Sequence, residues 1–155
     1  MGKMTWHTRW LDMVDLVASW SKDTSTKIGV VIVDDREVLL SVGWNGIPRG
    51  VLDNLPERDE RPAKYSFYEH GERNAIYNAA AKGISLRGAT LYTQFVPCCD
   101  CGRAVIQAGI KAVVVQRLFC NERWEESEKL TIQMFKEAEV QILVCGKNSS
   151  EYINI

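Results

Sequence analysis

Residues 89–115 read ATLYTQFVPCCDCGRAVIQAGIKAVVV. Ala89 to Val96 is a strand-forming run that stops at Pro97. Cys98 to Ala108 reads as a helix with Gly109 just past its end, and Ala112 to Val115 is a second short apolar strand. Strand, helix and strand in that succession make a β-α-β unit, with parallel strands and a right-handed crossover. The pattern then continues. Glu125 to Ala138 reads as a helix with Leu130, Met134 and Ala138 inward, and Val140 to Val144 as a last strand.

The upstream half supplies the rest of the sheet. Trp6, Trp10, Met13, Val17 and Trp20 recur at spacings of four and three, one face of a first helix, and core packing is the simplest role for that stripe. Ile28 to Val33 reads as a strand, Asp34-Asp35 as a turn, and Glu37 to Trp44 as a second strand. Asn45 to Pro62 is a long loop rich in Gly, Pro, Asp and Asn, of a length that is often functional. Glu69 to Lys82 is helical, with Ala75, Ile76, Ala79 and Ala80 on one face and Gly83 as C-cap. The order α-β-β-α-β-α-β-α-β predicts an α/β fold of three layers, α/β/α, around a five-stranded mixed sheet. One domain is expected over 1–155, with a loose tail from Lys147.

Composition narrows the function classes. The hydrophobic and charged fractions, 46% and 25%, are those of an ordinary globular protein. A net charge of -1 gives no global attraction to a long polyanion, so no nucleic-acid polymer is expected as partner. No apolar run is long enough to span a bilayer, and the start, Met1-Gly2-Lys3-Met4-Thr5-Trp6, lacks a secretory h-region and a myristoylation pattern. Five cysteines is an odd count, with Cys99, Cys120 and Cys145 scattered, which suits a reduced, cytoplasmic setting.

Two short motifs carry the chemistry: His70-Gly71-Glu72, then Pro97-Cys98-Cys99-Asp100-Cys101. Cys98 and Cys101 are three apart at a helix start, so their sulfurs share one side, and a helix N-terminus favours thiolates. Cys99 and Cys101, two apart, would point in different directions, so Cys99 is not expected to be a ligand. Two thiolates and the imidazole of His70 would hold zinc and leave a fourth position for water, because no fourth protein ligand is evident. Glu72, which is not a ligand, is placed to move protons.

H-x-E followed by P-C-x-x-C resembles the zinc-dependent nucleobase deaminases. Together with Ser21-Lys22-Asp23, Ile28-Gly29-Val30, Gly43-Trp44-Asn45-Gly46-Ile47-Pro48-Arg49-Gly50 and His70 to Ile76, the chain from about Ser21 to Val144 resembles the deoxycytidylate deaminases. The resemblance implies a cytidine-deaminase-like sheet flanked by helices, and hydrolysis of dCMP to dUMP and ammonia with a zinc-bound hydroxide as nucleophile and Glu72 as proton shuttle. It also implies a homo-oligomer, often a hexamer. By position, Asn45 would bond the deoxyribose, the N–H of Gly71 would lie against the base, and Lys22, Ser25 and Thr26 would approach the 5′-phosphate. Gly71 stands where the family usually has Ala, which suggests room for a 5-methyl or 5-hydroxymethyl group on the base. The family's stacking Tyr is missing, and Phe119 and Trp124 are both candidates for its place. Two other classes share the motif: a deaminase of tRNA or single-stranded DNA, and a non-catalytic zinc-stabilised binding module. The former needs a basic or aromatic surface for flanking nucleotides, and the latter has no need of Glu72.

Overall fold

Val30 and Ile32 pack on one face of the central sheet, Val31 and Val33 on the other, the alternation that a doubly covered strand requires. The structure, a computed structural model, describes residues 5–146 and 152–155. The extreme N-terminus and residues 147–151, the start of the expected loose tail, lie outside the described residues.

The helices are α1 (Trp6–Ala18), α2 (Ala63–Phe67), α3 (Gly71–Ala81), α4 (Cys99–Gln107) and α5 (Glu122–Glu137). The strands are β1 (Gly29–Val33), β2 (Leu39–Trp44), β3 (Thr90–Thr93), β4 (Ala112–Val115), β5 (Gln141–Cys145) and β6 (Tyr152–Asn154), in spatial order β2-β1-β3-β4-β5-β6. β3, β4 and β5 are parallel, and the remaining pairs are antiparallel. The five expected strands form the mixed sheet, and the short β6 extends it at the β5 edge. The tight β1–β2 turn is held by Asp34, whose Oδ1 accepts the N–H groups of Arg36 and Val38.

α1 packs on one face of the sheet through Leu11, Val14 and Val17; α3, α4 and α5 cover the other through Ala75, Ala79, Val105 and Phe135. Gly43 lets α3 come close: a Cβ there would sit 2.3 Å from the Ala75 nitrogen.

Three local readings shift. Trp6 and Trp20 are about half exposed, and the buried face of α1 is Leu11, Val14, Val17 and Ala18. Trp10 and Met13 pack partly buried against that core, with Trp6 stacked on Trp10 and Trp20 edge-on to Trp44. On α5 the inward residues are Glu128, Thr131 and Phe135, while Leu130 is half exposed, because Gly102 on α4 admits Thr131 rather than a larger neighbour. Within the long loop, Pro56–Arg58 forms a 3-10 turn, and directly after it Ala63–Phe67 forms α2. No helix among the described residues is long and apolar enough to cross a membrane.

Candidate active site

His70 is the N-cap residue of α3 and Cys98 the N-cap residue of α4. Neither side chain caps its own helix; both turn toward each other. Cys98 Sγ lies 3.4 Å and Cys101 Sγ 3.5 Å from Nδ1 of His70. The three donor atoms lie within 4.8 Å of one another, the only such group of three among the described residues. Cys101 is fully buried.

The donor set fits zinc: one imidazole nitrogen, two sulfurs and no fourth protein ligand is the pattern of a catalytic rather than a closed structural site. His7, the other histidine, bonds the Tyr92 hydroxyl instead. Hydrogen bonds from Cys101 and then from His70 hold the Cys98 thiol down to about 4, so it is a thiolate at neutral pH, and that partner raises His70. Cys99 stays outside the group, and its backbone N–H donates to Ser127 Oγ on α5 at 2.8 Å.

Glu72 sits in the first turn of α3, nearly buried. Burial raises its carboxyl above the ordinary value, and the neighbouring His70 opposes that rise. A carboxyl so poised, beside the donor set but outside it, is equipped to take and return a proton.

These residues open onto a cavity of about 130 Å³. Ser25, Thr26, Asn45, Gly71 and Glu72 all line it. Lys22 is not brought there: it is exposed and paired with Asp53 at 2.6 Å. A cation that lines the cavity beside Ser25 is Lys64 on α2, buried, 2.6 Å from Asp23 Oδ1 and 3.3 Å from Ser25 Oγ, and Arg61 and Arg123 line the cavity too. Asp23 also accepts the N–H groups of Ser25 and Thr26. Asn45 closes this network: Nδ2 donates to Asp23 Oδ2 and the Thr26 carbonyl, and Oδ1 accepts the Ile28 N–H. Both amide hydrogens of Asn45 are thus engaged, leaving Oδ1 with one further lone pair.

Gly71 lines the cavity, and what a methyl there would meet is neighbouring side chains rather than open space. A Cβ there would meet Ile28 and Val30 at 3.3 Å, so the missing methyl relieves packing of α3 on β1. Of the two aromatic candidates, Trp124 lines the cavity and Phe119 does not. The Trp124 ring stands edge-on to His70, 5.7 Å between centroids. The sequence motifs carry no signal for Lys64, Arg123, Thr93 or Glu128, which also line the cavity.

A family model, that of the cytidine and deoxycytidylate deaminase zinc-binding region, matches residues 4–117. The chain belongs to the cytidine and deoxycytidylate deaminase family. Relatives of this family member include an uncharacterized deaminase in the luxG 3′ region of Aliivibrio fischeri, 38% identical over 88% of this chain and 91% of the relative. The mouse deoxycytidylate deaminase is 33% identical over 83% of this chain and 71% of its own length. The crystal structure of dCMP deaminase from the cyanophage S-TIM5 in complex with dCMP and dUMP superposes with a TM-score of 0.74 at 25% identity, over 92% of this chain and 98% of that one. The fold is therefore that of the dCMP deaminase structures, and the chain is an enzyme of the deaminase class.

Proposed function

We propose that this chain hydrolyses dCMP to dUMP and ammonia as a single-domain enzyme, with zinc held by His70, Cys98 and Cys101. The observation that carries the reading is the three-donor cluster with Glu72, buried and outside the ligand set, one residue-pair away on the same helix start.

Zinc, when bound, supplies the acidity that makes hydroxide available from water at neutral pH. Glu72 takes the proton that water gives up and delivers it to N3 of the cytosine ring. The C4–O bond forms; Glu72 then takes the remaining proton of the hydroxyl added at C4 and passes it to the 4-amino group, the C4–N bond breaks, ammonia leaves and a C4 carbonyl remains. The Gly71 N–H, in the first turn of α3, has no intrahelical partner to lose and suits the base O2. Trp124 offers an apolar ring against the base plane. The free lone pair of Asn45 Oδ1 suits a sugar hydroxyl, with Asn45 chiefly holding the 23–28 loop in place. Ser25 and Thr26 offer hydroxyls, and Lys64 a cation, toward the 5′-phosphate.

Comparing dCMP with deoxycytidine tests the substrate reading. The expected result is a far larger kcat/KM for dCMP; equal values for the two would contradict it. The same reading implies a cytoplasmic homo-oligomer, which sedimentation of the purified chain measures.

A further inference from the structure

Thr93 ends β3 and is completely buried, yet its Oγ1 has no hydrogen-bond partner, the one such buried side-chain atom among the described residues. It faces the catalytic cavity. Glu128 on α5 faces the same cavity and is 2% exposed. Its carboxyl accepts the Cys120 N–H, at 3.2 Å to Oε1 and 3.3 Å to Oε2, which leaves most of its hydrogen-bonding capacity unused. Buried polar groups are nearly always paired, so two under-used ones lining one cavity point to a bound group that completes them.

The layout of the helices says which edge of the base they meet. α3 packs against α4, and α4 against α5. If Glu72 on α3 protonates N3, as proposed above, then N3 faces α3 and C4 lies over the cluster joining α3 to α4. C5 lies on the other side of C4 from N3, away from α3, and Glu128 lines the cavity from α5, beyond α4.

We infer that Thr93 and Glu128 form a polar subsite for a hydrogen-bonding substituent on the base 5-carbon, so that the enzyme accepts 5-hydroxymethyl-dCMP in preference to its 5-methyl counterpart. The inference rests on the dCMP reading of the same site. Burial holds the Glu128 carboxyl up to about 7, so near neutrality it offers a donor as well as an acceptor. The reaction is unchanged: water adds at C4, the C4–N bond breaks, ammonia leaves, and the 5-substituent keeps its bonds.

The test is a competition between dCMP, 5-methyl-dCMP and 5-hydroxymethyl-dCMP on the zinc-loaded full chain, for wild type, Thr93→Val and Thr93→Ala. Valine is nearly isosteric and suits a strand, and alanine removes the hydroxyl without adding bulk. Wild type should favour hydroxymethyl over methyl in kcat/KM. Thr93→Val should shrink that ratio about 3- to 10-fold, the worth of one hydrogen bond, while the methyl-to-dCMP ratio holds. Should Thr93→Val fail to fold, Thr93→Ala carries the same reading. A wild type that does not favour hydroxymethyl, or a ratio that neither folded variant moves, overturns the inference. So does an equal loss on all three nucleotides, which would mark a seat for an ordinary buried water. Turnover of dCMP with a flat ratio removes this subsite alone; failure to turn over dCMP removes the dCMP reading and the subsite with it.

Discussion

The backbone N–H of Cys99 donates to Ser127 Oγ at 2.8 Å, tying the start of α4 to α5. A helix start usually has its first N–H groups capped by the N-cap side chain. Here that residue is Cys98, whose sulfur is turned to His70, and the cap comes from another helix instead. Ser127→Ala should therefore cost about 1 kcal/mol in urea unfolding and weaken zinc retention against a chelator, because the Cys98 geometry loses its support. Unchanged zinc retention would show that α4 holds its start unaided.

Removing each thiol separately assigns the ligands. Cys98→Ser and Cys101→Ser should lose most of the bound zinc on dialysis, and Cys99→Ser should keep it. Metal analysis of the three purified proteins decides; loss of zinc from Cys99→Ser would mean that the donor set has been misread.

Lys22 and Lys64 should behave oppositely. Lys22 is exposed and engaged with Asp53, so Lys22→Ala should leave KM for dCMP within about twofold. Lys64→Ala strands the buried Asp23 carboxylate and should cost about 3–5 kcal/mol of stability, as well as raising KM. A rise in KM with Lys22→Ala alone would return Lys22 to the phosphate site in place of Lys64.

Glu128 predicts an unusual pH dependence. Burial, aided by Cys98 on α4, Glu125 on its own helix and Glu72 on α3, holds its carboxyl up to about 7 against an ordinary 4.5. Below 4.5 the group is protonated folded and unfolded, and it has no effect on stability. As pH rises through this interval the unfolded chain gives up the proton first, so the folded state loses ground until about pH 7. Glu128→Gln removes that loss. It should be more stable than wild type by up to about 3 kcal/mol at pH 8, with the difference vanishing near pH 4. Parallel thermal or urea unfolding across pH measures it, and a constant difference would place the Glu128 carboxyl at its ordinary value.

Much of this molecule is legible in its sequence because the decisive signals are local. A proline, a C-x-x-C helix start and a run of three valines mark the β3-α4-β4 unit within 27 residues, and H-x-E marks the start of α3. What the sequence hid depends on distant partners. Lys64 looks like a loop lysine until Asp23, 41 residues earlier, is seen to receive it. The inward phase of α5 is set by Gly102 on α4, since Thr131 lies where a Cβ would go. The tryptophans of α1 fit a helical stripe, but the helix is rolled so that Val14 and Leu11 meet the sheet and Trp6 stays at the surface. Gly71 lines the cavity as its place before Glu72 suggests, and only the packing of Ile28 and Val30 shows which space its missing methyl leaves.

The most direct test of the central claim is ammonia release from dCMP by the zinc-loaded protein, with Glu72→Gln alongside and zinc content measured on both. The account predicts one ammonia and one dUMP per dCMP consumed by the wild type. Glu72→Gln should keep its zinc and lose at least about 10²-fold in turnover. Zinc-loaded wild type that releases no ammonia from dCMP, or a Glu72→Gln protein that turns over at the wild-type rate, would contradict it.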